Sequence, residues 1–145
     1  MNSLSRLLEL GALPIINEND TIATEEIKVG DNDTLSALVA VSINADLLII
    51  LSDVDGLYSA DPHKDKNAKL IKQVACVTEE TLSLGGDAGS ALGTGGMKTK
   101  LSAAKLCTES ACEMVIACGE NPEILYDIVD GKDGNYTRFL AKTCK

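Results

Sequence analysis

The sequence predicts an α/β sandwich built around a parallel sheet, and three stretches carry that prediction. Residues 46–51, Asp-Leu-Leu-Ile-Ile-Leu, form an apolar run without alternation, which suits a parallel strand covered on both faces. Just upstream, Leu35, Leu38 and Val39 recur at helical spacing behind the start Asp31-Asn32-Asp33. Farther on, a helix from about Met97 to Ser110 leads into Met114-Val115-Ile116-Ala117, and then into a helix opened by Asn121-Pro122-Glu123.

The remaining elements follow from local chemistry. Asn2 or Ser3 caps a short helix that Gly11 stops, and the apolar stretch Leu13 to Ile16 reads as a buried strand. Thr24 to Val29 reads as a second strand. The helix begun at residues 31–33 runs to about Ile43, where it leads into the apolar run and completes a βαβ unit. A polar loop from Ser52 to Lys66 follows, then the apolar-polar segment Leu70 to Val77 and a helix start at Thr78-Glu79-Glu80. Half of the 12 glycines fall between Gly85 and Gly96. From Gly134 onward the chain reads as a tail. With no internal repeats and no low-complexity linkers, the 145 residues are read as one domain or part of one.

Composition narrows the class of partner. A net charge of −9 offers no basic field for nucleic acid or an anionic membrane surface. An anionic small substrate must therefore be gathered by local donors, helix N-termini or a metal ion. The five cysteines, Cys76, Cys107, Cys112, Cys118 and Cys144, are odd in number and contain no C-x-x-C pair, so they read as reduced thiols. The first helix is too short and too polar for a signal peptide or a membrane span, and a cytoplasmic location is expected.

Ser90 to Lys100 puts bare backbone, hydroxyls and two lysines at the entrance of a helix, the makings of an oxyanion cradle. It is not a Walker A loop, because Met97 rather than glycine precedes Lys98, and it fails the spacing G-x-G-x-x-G. The alternative is a loop with solvated lysines. Ser52-Asp53-Val54-Asp55-Gly56 begins where the apolar strand ends, the place where open α/β sheets bind ligands. Calcium is rejected there, since an EF-hand alignment would put Leu51 and Pro62 at ligand positions. A turn capped by its own aspartates explains the segment equally well. Gly30-Asp31-Asn32-Asp33 permits a helix cap, but with Asn17-Glu18-Asn19-Asp20 after the first strand there are two acid-amide clusters, harder to explain by capping alone, and asparagine can pair both ends of an amino acid. His63 reads as a solvated loop residue, and no Ser/His/Asp set or multi-histidine metal site is present.

Taken together, these residues resemble the amino acid kinase family. The pattern Asp53-x-x-Gly56-Leu57-Tyr58-x-x-Asp61-Pro62 after an apolar strand is similar to that family's nucleotide-binding signature. Pro14 to Asp20, Gly30 to Asp33 and Gly93-Thr94-Gly95-Gly96-Met97-x-Thr99-Lys100 resemble its glutamate 5-kinase branch. The resemblance implies a three-layer sandwich with a mostly parallel central sheet. It also implies ATP-dependent phosphorylation of the side-chain carboxylate of L-glutamate, the first step of proline biosynthesis. Position by position, Asp20 and Asn32 would bind glutamate, and Asp33 would organise the active-site lysines. Ser52, Asp53 and the run Thr94, Gly95, Gly96, Met97, Lys98, Thr99 and Lys100 would hold ATP, with Lys100 the catalytic lysine. Magnesium would be held mainly through the nucleotide phosphates, and the full-length enzyme would be a homo-oligomer.

The family's opening strand and glycine-rich turn, which bring a further lysine and a serine, have no counterpart here. Residues 1–145 are accordingly expected to be the nucleotide-binding portion of the kinase domain, without N-terminal strands or an appended RNA-modification-type domain, and incomplete for catalysis alone. Two other readings stay open: another member of the family, acting on acetylglutamate, aspartate or uridylate, and a fragment that binds nucleotide without chemistry.

Overall fold

In the computed structural model, residues 3–17, 31–62, 64–86 and 96–142 are described. The elements are α1 (Ser3–Glu9), α2 (Asn32–Ser42), β1 (Leu47–Ser52), β2 (Gln73–Val74), α3 (Glu79–Ser83), α4 (Met97–Glu109), β3 (Glu113–Cys118), α5 (Ile124–Val129) and β4 (Tyr136–Phe139). The four strands form one sheet in the order β1-β3-β4-β2. β1 pairs with β3 and β2 with β4 in parallel, whereas β3 and β4 run antiparallel. Two of three pairings are parallel, so the expected mostly parallel α/β sandwich is the fold observed.

Residue alternation along β3 makes the three layers. Met114 and Ile116 face a cluster with Ala37 and Ala40 of α2 and Leu101, Ala103, Ala104 and Cys107 of α4. Val115 and Ala117 face the opposite side, where Ile128 of α5 and Tyr136 close over them. Every residue from Met114 to Ala117 is fully buried, as a central strand covered on both faces requires. The alanines at the α2–α4 contact let the two helix backbones approach closely. β1, at the edge of the sheet among the described residues, is only partly covered, so the two-face burial expected for residues 46–51 belongs to β3 instead.

The helix ends are set by local bonds. Asp31 caps α2 by accepting the Thr34 amide at 2.7 Å. At the other end Ala45 N donates to Ala40 O at 2.9 Å around Asn44, whose φ of 52° is the left-handed turn of a Schellman motif. α4 ends likewise, with Cys112 N donating to Cys107 O at 3.0 Å around Ala111 at φ 60°. Thr78 caps α3 in a capping box with Thr81. Gly11, at φ 74°, stops α1.

Two expectations are corrected. Leu13 to Ile16 is not a buried strand: it has no ladder with any described strand, and Leu13 and Ile15 are 86% and 95% exposed. Apolar composition alone does not make a strand without a partner for its backbone groups. Conversely, the tail expected from Gly134 contains β4, which lies between β3 and β2 and buries Phe139 completely. The strand expected at Thr24–Val29 lies outside the described residues.

Candidate active site

Topology brings the polar motifs to one end of the sheet. α2 passes into β1 through residues 43–46, and α4 into β3 through residues 110–112. Such short turns make each helix run back along the strand that follows it. An 11-residue helix and a six-residue strand have comparable lengths, about 16 and 20 Å, so both helix N-termini lie where β1 and β3 finish. Asp31–Asp33, Gly96–Lys100 and Ser52–Asp53 therefore share the carboxyl edge of the parallel strands, where α/β folds bind ligands.

The centre of this edge is a charge pair between the helices. Lys100 Nζ lies 3.1 Å from Asp33 Oδ2 and 3.4 Å from Oδ1. The two side chains are only 9% and 12% exposed, so the interaction is weakly screened. Thr99 Oγ1 lies 2.6 Å from the same Oδ2. Asp33 sits in the first turn of α2, and its main-chain oxygen accepts the Ser36 hydroxyl at 2.8 Å. The N-cap of α4 is Gly96, which offers no side chain to its own helix, so the first amides of α4 and their partial positive charge suit an anion. Lys98 is exposed beside them, and Met97 packs into the core below.

Asn32 is exposed at the mouth of a cleft of about 420 Å³ that runs between α2 and β1 and is lined by Ile16, Leu35, Ser36, Val39 and Leu48. At the end of β1 the Ser52 hydroxyl donates to Asp53 Oδ1 at 3.0 Å, and Gly119 N donates to Ser52 O at 2.8 Å, tying the ends of β1 and β3 together. The loop that follows is fixed from behind. Leu57 N donates to Thr137 Oγ1 at 2.8 Å, and Ile71 N donates to Leu57 O at 2.8 Å. Glycine is required at position 56, since a Cβ there would lie 2.9 Å from the Thr137 amide nitrogen. The Tyr58 hydroxyl donates to Asp55 Oδ2 at 3.0 Å, and its pKa is raised by burial and then by that carboxylate.

The structure thus brings Asp33, Thr99 and Lys100 into direct contact, sets Asn32 on the adjoining turn, and leaves Lys98 in solvent. Asp20, Thr94, Gly95 and His63 lie outside the described residues. Thr137, which orders the loop after Asp53, escaped the sequence reading; the alternation Tyr136-Thr137-Arg138-Phe139 was the signal that could have exposed it as a strand residue. No helix among the described residues is long and apolar enough to cross a membrane.

Comparison with known proteins bears on the family and the fold. The sequence profile of the amino acid kinase family matches residues 1–118. A glutamate 5-kinase of Clostridium perfringens is 52% identical over 145 residues, covering 97% of this chain and 54% of that protein. A glutamate 5-kinase of Herpetosiphon aurantiacus is 56% identical over 137 residues, covering 94% of this chain and 37% of the relative. Among solved structures, carbamate kinase from Giardia lamblia bound to AMP-PNP matches with a TM-score of 0.63 at 25% identity, over 94% of this chain and 43% of the other. The chain spans about half the length, or less, of the curated relatives it matches.

Proposed function

The chain belongs to the amino acid kinase family, and from that premise we propose that it forms the nucleotide-binding part of a glutamate 5-kinase. In this reading the γ-phosphoryl group of ATP passes to the side-chain carboxylate of L-glutamate, in the cytoplasm, as the entry to proline biosynthesis. The observation that carries it is the Asp33–Lys100 pair, 3.1 Å apart beside an α4 N-terminus that has no side-chain cap.

Phosphoryl transfer asks a protein chiefly to position reactants and offset spreading negative charge. Lys100 supplies a full positive charge held in one place by Asp33, and the α4 amides and Lys98 supply more at the same edge. Ser52 and Asp53, with the segment from Thr94 to Lys100, hold the nucleotide. The Asp33 carboxylate is already engaged by Lys100 and Thr99, so magnesium fits better on the nucleotide phosphates than on this side chain. When bound there, the metal offsets phosphate charge. Asn32 and Asp20 receive glutamate: an asparagine amide can donate to the α-carboxylate and accept from the ammonium, and an aspartate pairs the ammonium. Self-association belongs to the complete enzyme in this reading.

Calorimetry with Mg-ADP tests the nucleotide half. Alanine at Lys98 and Lys100 should weaken binding by about ten- to a hundredfold per lost charge-assisted contact. Equal affinity in wild type and the double variant would remove the cradle. Hydroxylamine trapping of acyl phosphate, with glutamate, acetylglutamate and aspartate offered separately and uridylate phosphorylation followed alongside, tests the acceptor. A preference other than glutamate overturns the substrate assignment. Because the chain spans about half of its relatives, a second reading has direct support: a unit that binds nucleotide but turns over slowly or not at all by itself. Nucleotide binding without acyl phosphate would select it.

A further inference from the structure

The hydroxyl of Thr99 lies 2.6 Å from Asp33 Oδ2 and 2.7 Å from the Gly96 carbonyl oxygen. It has one proton to give, and both neighbours only accept. The Gly96 carbonyl already accepts the amides of Thr99 at 3.1 Å and Lys100 at 3.5 Å, as the opening turn of α4 provides. A bond to the carboxylate is charge-assisted and the stronger of the two choices. The proton therefore belongs to Asp33.

That assignment gives the carboxylate two holders of different character. Oδ2 receives the Thr99 hydroxyl and the Lys100 ammonium from consecutive residues of α4, while Asp33 itself stands on α2. Threonine is β-branched, with one stiff side-chain torsion between backbone and hydroxyl. Lysine reaches the same oxygen along a four-carbon stem with several torsions. Of the two contacts the threonine one determines where the carboxylate lies, and the carboxylate then determines where the lysine head rests.

Building on the kinase reading above, we propose that Thr99 is a positioning residue for phosphoryl transfer. Its hydroxyl fixes the Asp33 carboxylate, and through it the Lys100 ammonium, and is not itself a contact of the nucleotide. The α4 backbone around Thr99 remains part of the phosphate cradle.

Thr99→Val removes the hydroxyl and keeps the shape, and Thr99→Ser restores the hydroxyl. The first readout needs no turnover: acetylation of Lys100 by acetic anhydride, quantified by peptide mass spectrometry against Lys105 in the same molecule. Thr99→Val should acetylate faster at Lys100 by several-fold, with about a hundredfold as the ceiling set by one charge-assisted bond. Thr99→Ser should return to the wild-type rate. Mg-ADP affinity should fall less in Thr99→Val than in Lys100→Ala, because the ammonium is loosened and not removed, and should return in Thr99→Ser. Where turnover is measurable, Thr99→Val should lower kcat more than it raises the KM for ATP. Thr99→Ala provides the same comparison if the valine variant does not fold. Unchanged Lys100 reactivity on loss of the hydroxyl overturns the proposal. So does a further loss of Mg-ADP affinity when Thr99→Val is added to Lys100→Ala, which would make the hydroxyl a nucleotide contact independent of the lysine. A wild-type chain that phosphorylates an acceptor other than glutamate defeats the substrate assignment while leaving the acetylation result standing.

Discussion

The Leu57 amide donates to the Thr137 hydroxyl at 2.8 Å, and that hydroxyl donates to the Ile71 carbonyl at 2.6 Å. Thr137 is completely buried and Leu57 almost so. One side chain on β4 thus joins the loop leaving β1 to the segment entering β2, and the loop concerned carries Asp53 and Asp55. Replacing Thr137 by valine strips a buried amide and a carbonyl of their shared partner. Each group left unsatisfied costs about 1–3 kcal/mol. The urea midpoint of Thr137→Val should fall accordingly while Thr137→Ser stays close to wild type. Equal midpoints for valine and wild type would show that the loop finds other partners.

The Asp33–Lys100 pair makes a second prediction. Breaking a pair this well covered by removing one partner costs about 3–5 kcal/mol, because the other charge stays in a poorly solvated place. Asp33→Asn should therefore lower stability, and the double variant Asp33→Asn with Lys100→Met should recover much of the loss without recovering nucleotide binding. Urea melts of wild type, Asp33→Asn, Lys100→Met and the double variant measure the coupling. Asp33→Asn unfolding at the wild-type midpoint would mean that Lys100 is held by other groups.

Ala111 turns the chain out of α4 at φ 60°, a conformation that costs a residue with a Cβ about 1–2 kcal/mol. Glycine adopts it freely but loses more freedom on folding, roughly 0.5–1 kcal/mol. Ala111→Gly should stabilise the protein slightly, by up to about 1 kcal/mol, read as a higher melting temperature. A lower melting temperature would place the gain from the alanine methyl above the strain.

Burial pushes the Cys107 thiol up to about 12 from an ordinary 9.0, with the neighbouring Cys112 adding to the effect, and burial raises Cys112 as well. The folded state then keeps protons that the unfolded state gives up. The stabilising contribution is fully present below about pH 9 and is lost as pH rises toward about 12. Wild type should lose stability over that interval more steeply than Cys107→Ala, measured by urea melts at successive pH values. Parallel slopes would contradict the burial account. At neutral pH iodoacetamide should label the exposed Cys76 and spare Cys107 and Cys112 until the chain unfolds.

Elements whose cause is local were legible. Asp31 to Asp33 announces the start of α2 because a cap is a bond between residues three apart, and the apolar runs at 47–51 and 114–117 announce strands by composition, although only the second is buried on both faces. Leu13 to Ile16 has the same composition as a buried strand and misled for that reason. β4 was missed because Tyr136 to Phe139 is a strand only by virtue of β3 on one side and β2 on the other.

The candidate site divides along the same line. Sequence by itself determined which residues are available: glycines and lysines opening α4, acids and an asparagine opening α2, and a serine-aspartate pair closing β1. Short turns between helix and strand also send those segments to a common edge. Only the tertiary structure decided which of them meet. Asp33 reaches Lys100 and Thr99 across 67 and 66 residues, because alanines at the α2–α4 contact bring the two helix starts within reach. Thr137 reaches Leu57 across 80 residues through the pairing of β4 in the sheet. A cap or an apolar period is written in neighbouring residues, whereas the partner of a buried charge or hydroxyl depends on where distant backbone is carried by packing.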